Sequence, residues 1–197
     1  MLERSDVMPA VLIAYFSLLG CWTISEILIL LLTRTPQSSG TVRDRGSLRI
    51  LWPAIVGGVS FGTWYGDTHT RNILHGSLWV RLAALVLFVA GLTIRWAAIW
   101  SLGRSFSANV AIHATQQLQR NGLFRFVRHP SYTGLLLVLL AIGVFTRNWL
   151  GLAMVFLPGV FALLYRIRVE EAALRQAFGQ QYDEYTAATK RLLPGLY

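Results

Sequence analysis

Charge is scarce in this chain. Only 14% of its 197 residues are Asp, Glu, Lys or Arg, whereas 54% are hydrophobic, and the mean hydropathy is +0.50. A soluble domain carries about 25% charged residues, so the polar coat of a water-facing globule is missing. Intrinsic disorder is excluded as well, because so apolar a chain buries more surface than ordering costs. Cysteine is reduced to Cys21, inside an apolar run, which rules out an intrachain disulfide. Lys190 is the sole lysine among eighteen basic residues. The sequence has no P-loop, dinucleotide fingerprint or nucleophile elbow. His69, His75 and His113 have no partners at metal-ligand spacing. No metal is expected.

What the chain has is long apolar stretches. They predict an all-α integral membrane bundle of about five transmembrane helices, over residues 7–32, 50–65, 78–100, 132–146 and 149–165. The first exceeds the ~20 residues needed to cross the hydrocarbon core. It is longer than a signal-peptide core and lacks a small-residue exit site, so an uncleaved span is expected. In the second, Gly57, Gly58 and Gly62 allow a neighbouring helix to approach closely. Trp79, Trp96 and Trp100 of the third fit an interfacial belt. The last two spans are short and separated by Arg147 and Asn148 alone, which predicts an antiparallel helical hairpin. No repeat or appended soluble domain is visible, so one domain over 1–197 is expected.

The formal net charge of +9 could suit a nucleic-acid partner, but the basic residues lie between the apolar runs. Loop 33–49, segment 101–131 and the tail after 165 fall on one side of the membrane and hold thirteen of the eighteen. The positive-inside rule then places the N-terminus outside and the C-terminus in the cytoplasm. No nucleic acid is required.

Chemistry gathers in the two basic segments that bracket the hairpin. Pro130 forces His129 out of helical geometry and starts the next helix, which places Arg128-His129-Pro130-Ser131-Tyr132 at a helix N-terminus. Free N–H groups and the positive dipole end suit an anion there. Arg166 and Glu170, four apart, share a face of the continuing helix. The hairpin returns Glu170 to the membrane face that holds His129. An anion site facing a carboxylate suits a zwitterionic ligand. From charge pattern alone the alternative is simple: Arg128 and His129 as topology anchors and Glu170 paired with Arg166. Glu26 reads as a hydrogen-bond partner of a neighbouring helix, and Arg95 as an interfacial side chain that snorkels.

The run Gly122-Leu-Phe-Arg-Phe-Val-Arg128-His129-Pro130-Ser131-Tyr132-Thr-Gly134, with Glu170-Glu171-x-x-Leu174 and Phe178-Gly179-x-x-Tyr182-x-x-Tyr185, resembles the isoprenylcysteine carboxyl methyltransferase family. That family is related to membrane phospholipid methyltransferases, and the resemblance covers roughly residues 91–197. It implies a multi-span enzyme that binds S-adenosylmethionine at the cytoplasmic face and methylates a lipid-linked carboxylate. By position, His129, Pro130, Ser131 and Tyr132 would hold the methionine part and neighbouring groups of the cofactor, with Arg128 beside them. Glu170 would be the cofactor-binding acid. Gln116, Gln117, Leu118 and Gln119 would line its pocket, and Arg166 would meet the substrate. Gln116 stands where the eukaryotic enzymes have histidine, and Phe124 where tyrosine is usual.

Methyl transfer to an ionised carboxylate needs no general base, so the enzyme works by alignment and water exclusion. No nucleophile–base pair is expected. The acceptor could also be a phospholipid amine or a thiol, and a non-catalytic scaffold or carrier could share the fold. The expected partners are the bilayer and a lipophilic or small acceptor, its tail entering sideways over the glycine face of the second span. The compact design points to a prokaryotic plasma membrane.

Overall fold

The computed structural model describes residues 4–33, 41–42, 46–69, 78–103, 106, 111–112, 117–195 and 197. Gln116, His75 and His113 lie outside them, as does most of loop 33–49. Helix α1 spans Arg4–Leu32, α2 Ser47–Thr68, α3 Leu78–Leu102, α4 Pro130–Phe145, α5 Trp149–Phe178 and α6 Gln180–Ala188. A two-residue antiparallel ladder, β1 (Thr41–Val42) with β2 (Ala111–Ile112), ties the loop after α1 to the segment after α3. A 3₁₀ turn at Gly122–Arg125 precedes α4.

Val7–Leu32, Leu78–Leu102 and Trp149–Phe178 are long and apolar enough to cross a membrane, and α4 is a shorter apolar helix. Helix α2, with 22 residues, turns Val56, Phe61 and Trp64 outward, as α3 does Trp79, Val86 and Trp100. Large apolar side chains directed away from the core belong to a protein whose solvent is lipid. The chain is an integral membrane protein with an all-α fold.

The second and fifth spans run furthest beyond what the hydropathy suggests. The second begins three residues early, at Ser47, and ends at Thr68; the fifth continues thirteen residues past 165. Both extensions are polar, so apolar composition cannot register them, although backbone hydrogen bonding continues. The hairpin is formed as expected: Asn148 caps α5, its Oδ1 accepting from Leu150 N (2.9 Å) and Gly151 N (3.1 Å). The most extensive packing pairs α4 with α3 and α5 with α2.

Glycine explains those pairings. Lipid tails are as apolar as leucine, so helices in a bilayer associate by close contact rather than by escape from solvent. A Cβ on Gly62 would sit 2.5 Å from Val155 Cγ2 and 2.7 Å from the Gly151 carbonyl. One on Gly134 would lie 2.6 Å from the Arg95 nitrogen and the Gly91 carbonyl. Gly58 and Gly62 thus serve as expected, whereas Gly57 faces open space. The contact also corrects the proposed tail route: α5 fills the glycine face of α2.

Between these pairs lies a core that includes Leu51, Ile55, Phe88, Leu139, Val155 and Leu163. At one end of the bundle α1, α3 and the spanning part of α5 finish while α2 and α4 begin, and there the packing opens.

Candidate functional site

The opening is a cavity of about 1180 Å³, counting its solvent-filled mouth. Ile29 and Leu30 of α1, with Leu48, Leu51 and Trp52 of α2, form an apolar wall. Opposite stand Gln117, Leu118, Gln119 and Phe124, then Arg128 through Tyr132, and Arg166, Glu170 and Leu174 of α5. Tyr182 and Tyr185 of α6 close the remaining side. Every described residue expected from the sequence to meet the cofactor or the substrate therefore borders one cavity.

Local structure places them as the sequence requires. Pro130 occupies the first turn of α4, and His129 holds a non-helical φ of −125°. The backbone of 127–129 pairs with the tail: Val127 bridges Lys190, Arg128 N donates to Lys190 O (2.8 Å) and His129 N to Arg191 O (3.0 Å). The Tyr185 hydroxyl donates to Phe124 O at 2.6 Å. Burial pushes its phenol up to about 12, so this donor stays protonated at neutral pH.

Three polar groups form a chain across the cavity. The Tyr132 hydroxyl donates to Glu170 Oε2 at 2.6 Å and accepts from Arg166 Nε at 2.9 Å. Arg166 Nη1 also donates to the buried Ser47 hydroxyl at 2.8 Å. The sequence places Arg166 and Glu170 on one face, and the structure bridges them through a phenol from α4.

The adjacent acids separate. Glu170, with its side chain 29% exposed, faces the cavity. Glu171 is buried against the other flank, accepting from Arg128 Nε (3.0 Å) and from Arg191 Nε (3.0 Å) and Nη2 (2.8 Å). That contact raises the Arg191 guanidinium above its ordinary range. Arg128 also donates to the carbonyls of Thr186 and Thr189. Arg128 thus borders the cavity while its guanidinium pairs with Glu171. His129 is buried, stacked on Tyr132 with ring centroids 5.4 Å apart. Its Nε2 lies 3.5 Å from Glu171 Oε1 without hydrogen-bond geometry.

A second polar group borders the cavity from within the spans. Arg95 Nε and Nη2 pair with the two oxygens of Glu26, the latter contact at 2.5 Å, and Trp22 Nε1 adds a 3.1 Å bond to Glu26. Arg95 Nη1 reaches Ser131 O (3.2 Å) and Oγ (3.0 Å). Glu26 meets a neighbouring helix as expected. Arg95 does not snorkel: it is 5% exposed, because a carboxylate waits on α1. The sequence reading missed this pair as a unit, along with Ser47 and the cavity-facing Tyr182. A conserved spacing could not have joined Glu26 to Arg95, since they are 69 residues apart.

Fold and cavity together define a helical membrane protein with a ligand-sized, polar-walled chamber at one end of its bundle. Residues 84–176 match the isoprenylcysteine carboxyl methyltransferase (ICMT) family. The chain is 35% identical over 117 residues to a probable protein-S-isoprenylcysteine O-methyltransferase of Oryza sativa subsp. indica, covering 58% of this chain and 61% of that protein. It is 35% identical over 119 residues to protein-S-isoprenylcysteine O-methyltransferase A of Arabidopsis thaliana, covering 59% and 60%. The match thus spans about three fifths of these relatives' length. Its fold resembles that of the eukaryotic intramembrane Ras methyltransferase ICMT, with a TM-score of 0.65 at 21% identity, over 94% of this chain and 66% of that one. The relatives are named as O-methyltransferases.

Proposed function

We propose that the chain, acting as one domain, transfers a methyl group from S-adenosylmethionine to a carboxylate of a lipid-linked or small hydrophobic acceptor at the cytoplasmic membrane face. The observation that carries this reading is the Glu170–Tyr132–Arg166 chain, which sets a carboxylate and a guanidinium along one wall of a cavity whose other wall is apolar.

The residues present fit such a cofactor. Tyr182 is 1% exposed, and its hydroxyl has no hydrogen-bond partner among the described residues although it borders the cavity. A buried hydroxyl without a partner costs free energy unless a ligand satisfies it. Glu170 would accept from the cofactor's ammonium or ribose hydroxyls, a charge-assisted contact. The α4 N-terminus with Ser131 and His129 would face its carboxylate, and Gln117, Leu118, Gln119 and Phe124 would border it, with Gln116 beside them in sequence. When bound, the cofactor supplies an electrophilic methyl on a sulfonium.

The remaining work is alignment. A carboxylate acceptor is ionised near neutral pH, so no side chain has to remove a proton. Arg166 orients that anion, and its bonds to Tyr132 and Ser47 keep it from gripping the acceptor too tightly. The apolar wall of Ile29, Leu30, Leu51 and Trp52 excludes water and receives the acceptor's tail, which positions the reacting atoms. The bias of thirteen of the eighteen basic residues toward one side of the spans, read from the sequence, supports a cytoplasmic C-terminus and an outside N-terminus, in what we propose is a prokaryotic plasma membrane.

Labelled cofactor offered with hydrophobic carboxylates, amines and thiols tests the reading. Base-labile methyl ester on the carboxylates is the expected product. Transfer confined to amines or thiols overturns the carboxyl assignment, and no transfer to any acceptor favours a non-catalytic carrier.

A further inference from the structure

Arg95 divides its donors in a way that joining two helices does not require. Nε and Nη2 already pair with both oxygens of Glu26, while Nη1 turns to α4 and meets both Ser131 oxygens. All three residues are buried, at 3%, 5% and 7% exposure, and all three border the cavity. A buried charge pair brings little net stability over apolar packing, and ionisable groups inside a membrane are expensive. Close α3–α4 packing is already secured by Gly91 and Gly134.

We infer that the Glu26–Arg95 pair is a positioning device that holds the Ser131 hydroxyl as an oriented hydrogen-bond donor toward an anionic group in the cavity. The inference rests on the cavity being the S-adenosylmethionine site. Its chemistry is simple. A guanidinium only donates, so Arg95 occupies a lone pair of Ser131 Oγ and leaves the hydroxyl hydrogen to point elsewhere. No hydrogen bond from that hydroxyl to another described residue is formed. Glu26 fixes the guanidinium by a two-oxygen clasp, and neutralises it. Arg95 therefore orients without adding net charge, and the anion meets a directed dipole rather than a free cation. An uncompensated cation at this position would hold any anion, the acceptor included, whereas a neutral pair that aims one hydroxyl is selective for geometry.

The test is a double-mutant cycle on S-adenosylhomocysteine binding by the full chain in lipid nanodiscs. Arg95→Lys keeps the charge opposite Glu26 but cannot reach both partners in a fixed fork; Ser131→Ala removes the oriented hydroxyl. Each is expected to weaken binding roughly tenfold, the worth of one charge-assisted hydrogen bond. The double variant is expected to be no weaker than either, because the two residues act as one unit. Unchanged affinity in Arg95→Lys, or effects that multiply in the double variant, overturns the inference while leaving the cofactor site standing. Failure of the unmodified protein to bind overturns both. If Arg95→Lys does not fold, the exchange of Glu26→Arg with Arg95→Glu retains the pair but moves the guanidinium to α1. It is expected to keep the wild-type thermal midpoint and to bind like Ser131→Ala. Wild-type affinity in the exchange variant would show that the pair only joins helices.

Discussion

Tyr132 and Glu170, 38 residues apart, meet in a 2.6 Å hydrogen bond in which the phenol donates and the carboxylate accepts. The same hydroxyl accepts from Arg166, so a single oxygen fixes the distance between an anion and a cation in the cavity wall. Tyr132→Phe removes that oxygen and little volume. We expect methyl transfer to fall roughly tenfold, with a thermal midpoint lowered by no more than a few degrees, since each of the two hydrogen bonds lost is worth about 1 kcal/mol net. Steady-state rates beside a melting curve check it; unchanged rates would mean that the bridge does not position either group.

The two neighbouring acids should behave differently. Glu171 holds two arginines in a buried cluster, and removing one partner of a buried pair costs about 3 kcal/mol or more. Glu171→Gln is therefore expected to lower the thermal midpoint by several degrees. Glu170→Gln, at a part-exposed side chain, should leave the midpoint nearly unchanged and weaken cofactor binding. Melting and binding measured on both variants decide the assignment; the reverse pattern would exchange their roles.

Two glycines of α2 give a packing test. Gly62→Ala drives a Cβ into Val155 and the Gly151 carbonyl, and forcing α2 from α5 is expected to cost about 1–3 kcal/mol. Gly57→Ala meets nothing within 4 Å and should be neutral or stabilising by about 0.5–1 kcal/mol, the ordinary gain of alanine inside a helix. Denaturation in mixed micelles distinguishes them. Equal effects would argue against the α2–α5 contact.

Acceptor chemistry predicts a pH profile. A carboxylate is fully ionised above about pH 6, so acceptor titration adds nothing to the rate between pH 6 and 8. An amine or thiol acceptor would produce a rate that climbs through this range as the nucleophile loses its proton. Initial rates at saturating cofactor, across buffers of equal ionic strength, make the comparison.

The sequence made some of this legible, and physics explains the rest. Continuous apolar composition marks a span without any periodic pattern, so the five apolar helices could be placed, but the polar start and end of α2 and the polar end of α5 could not. Pro130 announced the beginning of α4 because the first turn of a helix is where proline's missing N–H costs nothing. Glu170 and Glu171 are indistinguishable as letters; a 100° step around α5 sends one to the cavity and the other to Arg128 and Arg191. Arg95 read as a snorkelling side chain because its partner lies on another helix, 69 residues away. The pairing of 127–129 with the tail is backbone to backbone and leaves no side-chain signature. The motif around His129 was the most informative stretch, and the cavity forms around it.

The most direct test of the account is a titration of the purified protein in lipid nanodiscs with S-adenosylhomocysteine, run beside Glu170→Ala and His129→Ala. Saturable one-to-one binding by the wild type, weakened at least tenfold in both variants, is the expected result. No binding by the wild type, or equal affinity in all three proteins, would contradict the assignment of this cavity as the cofactor site.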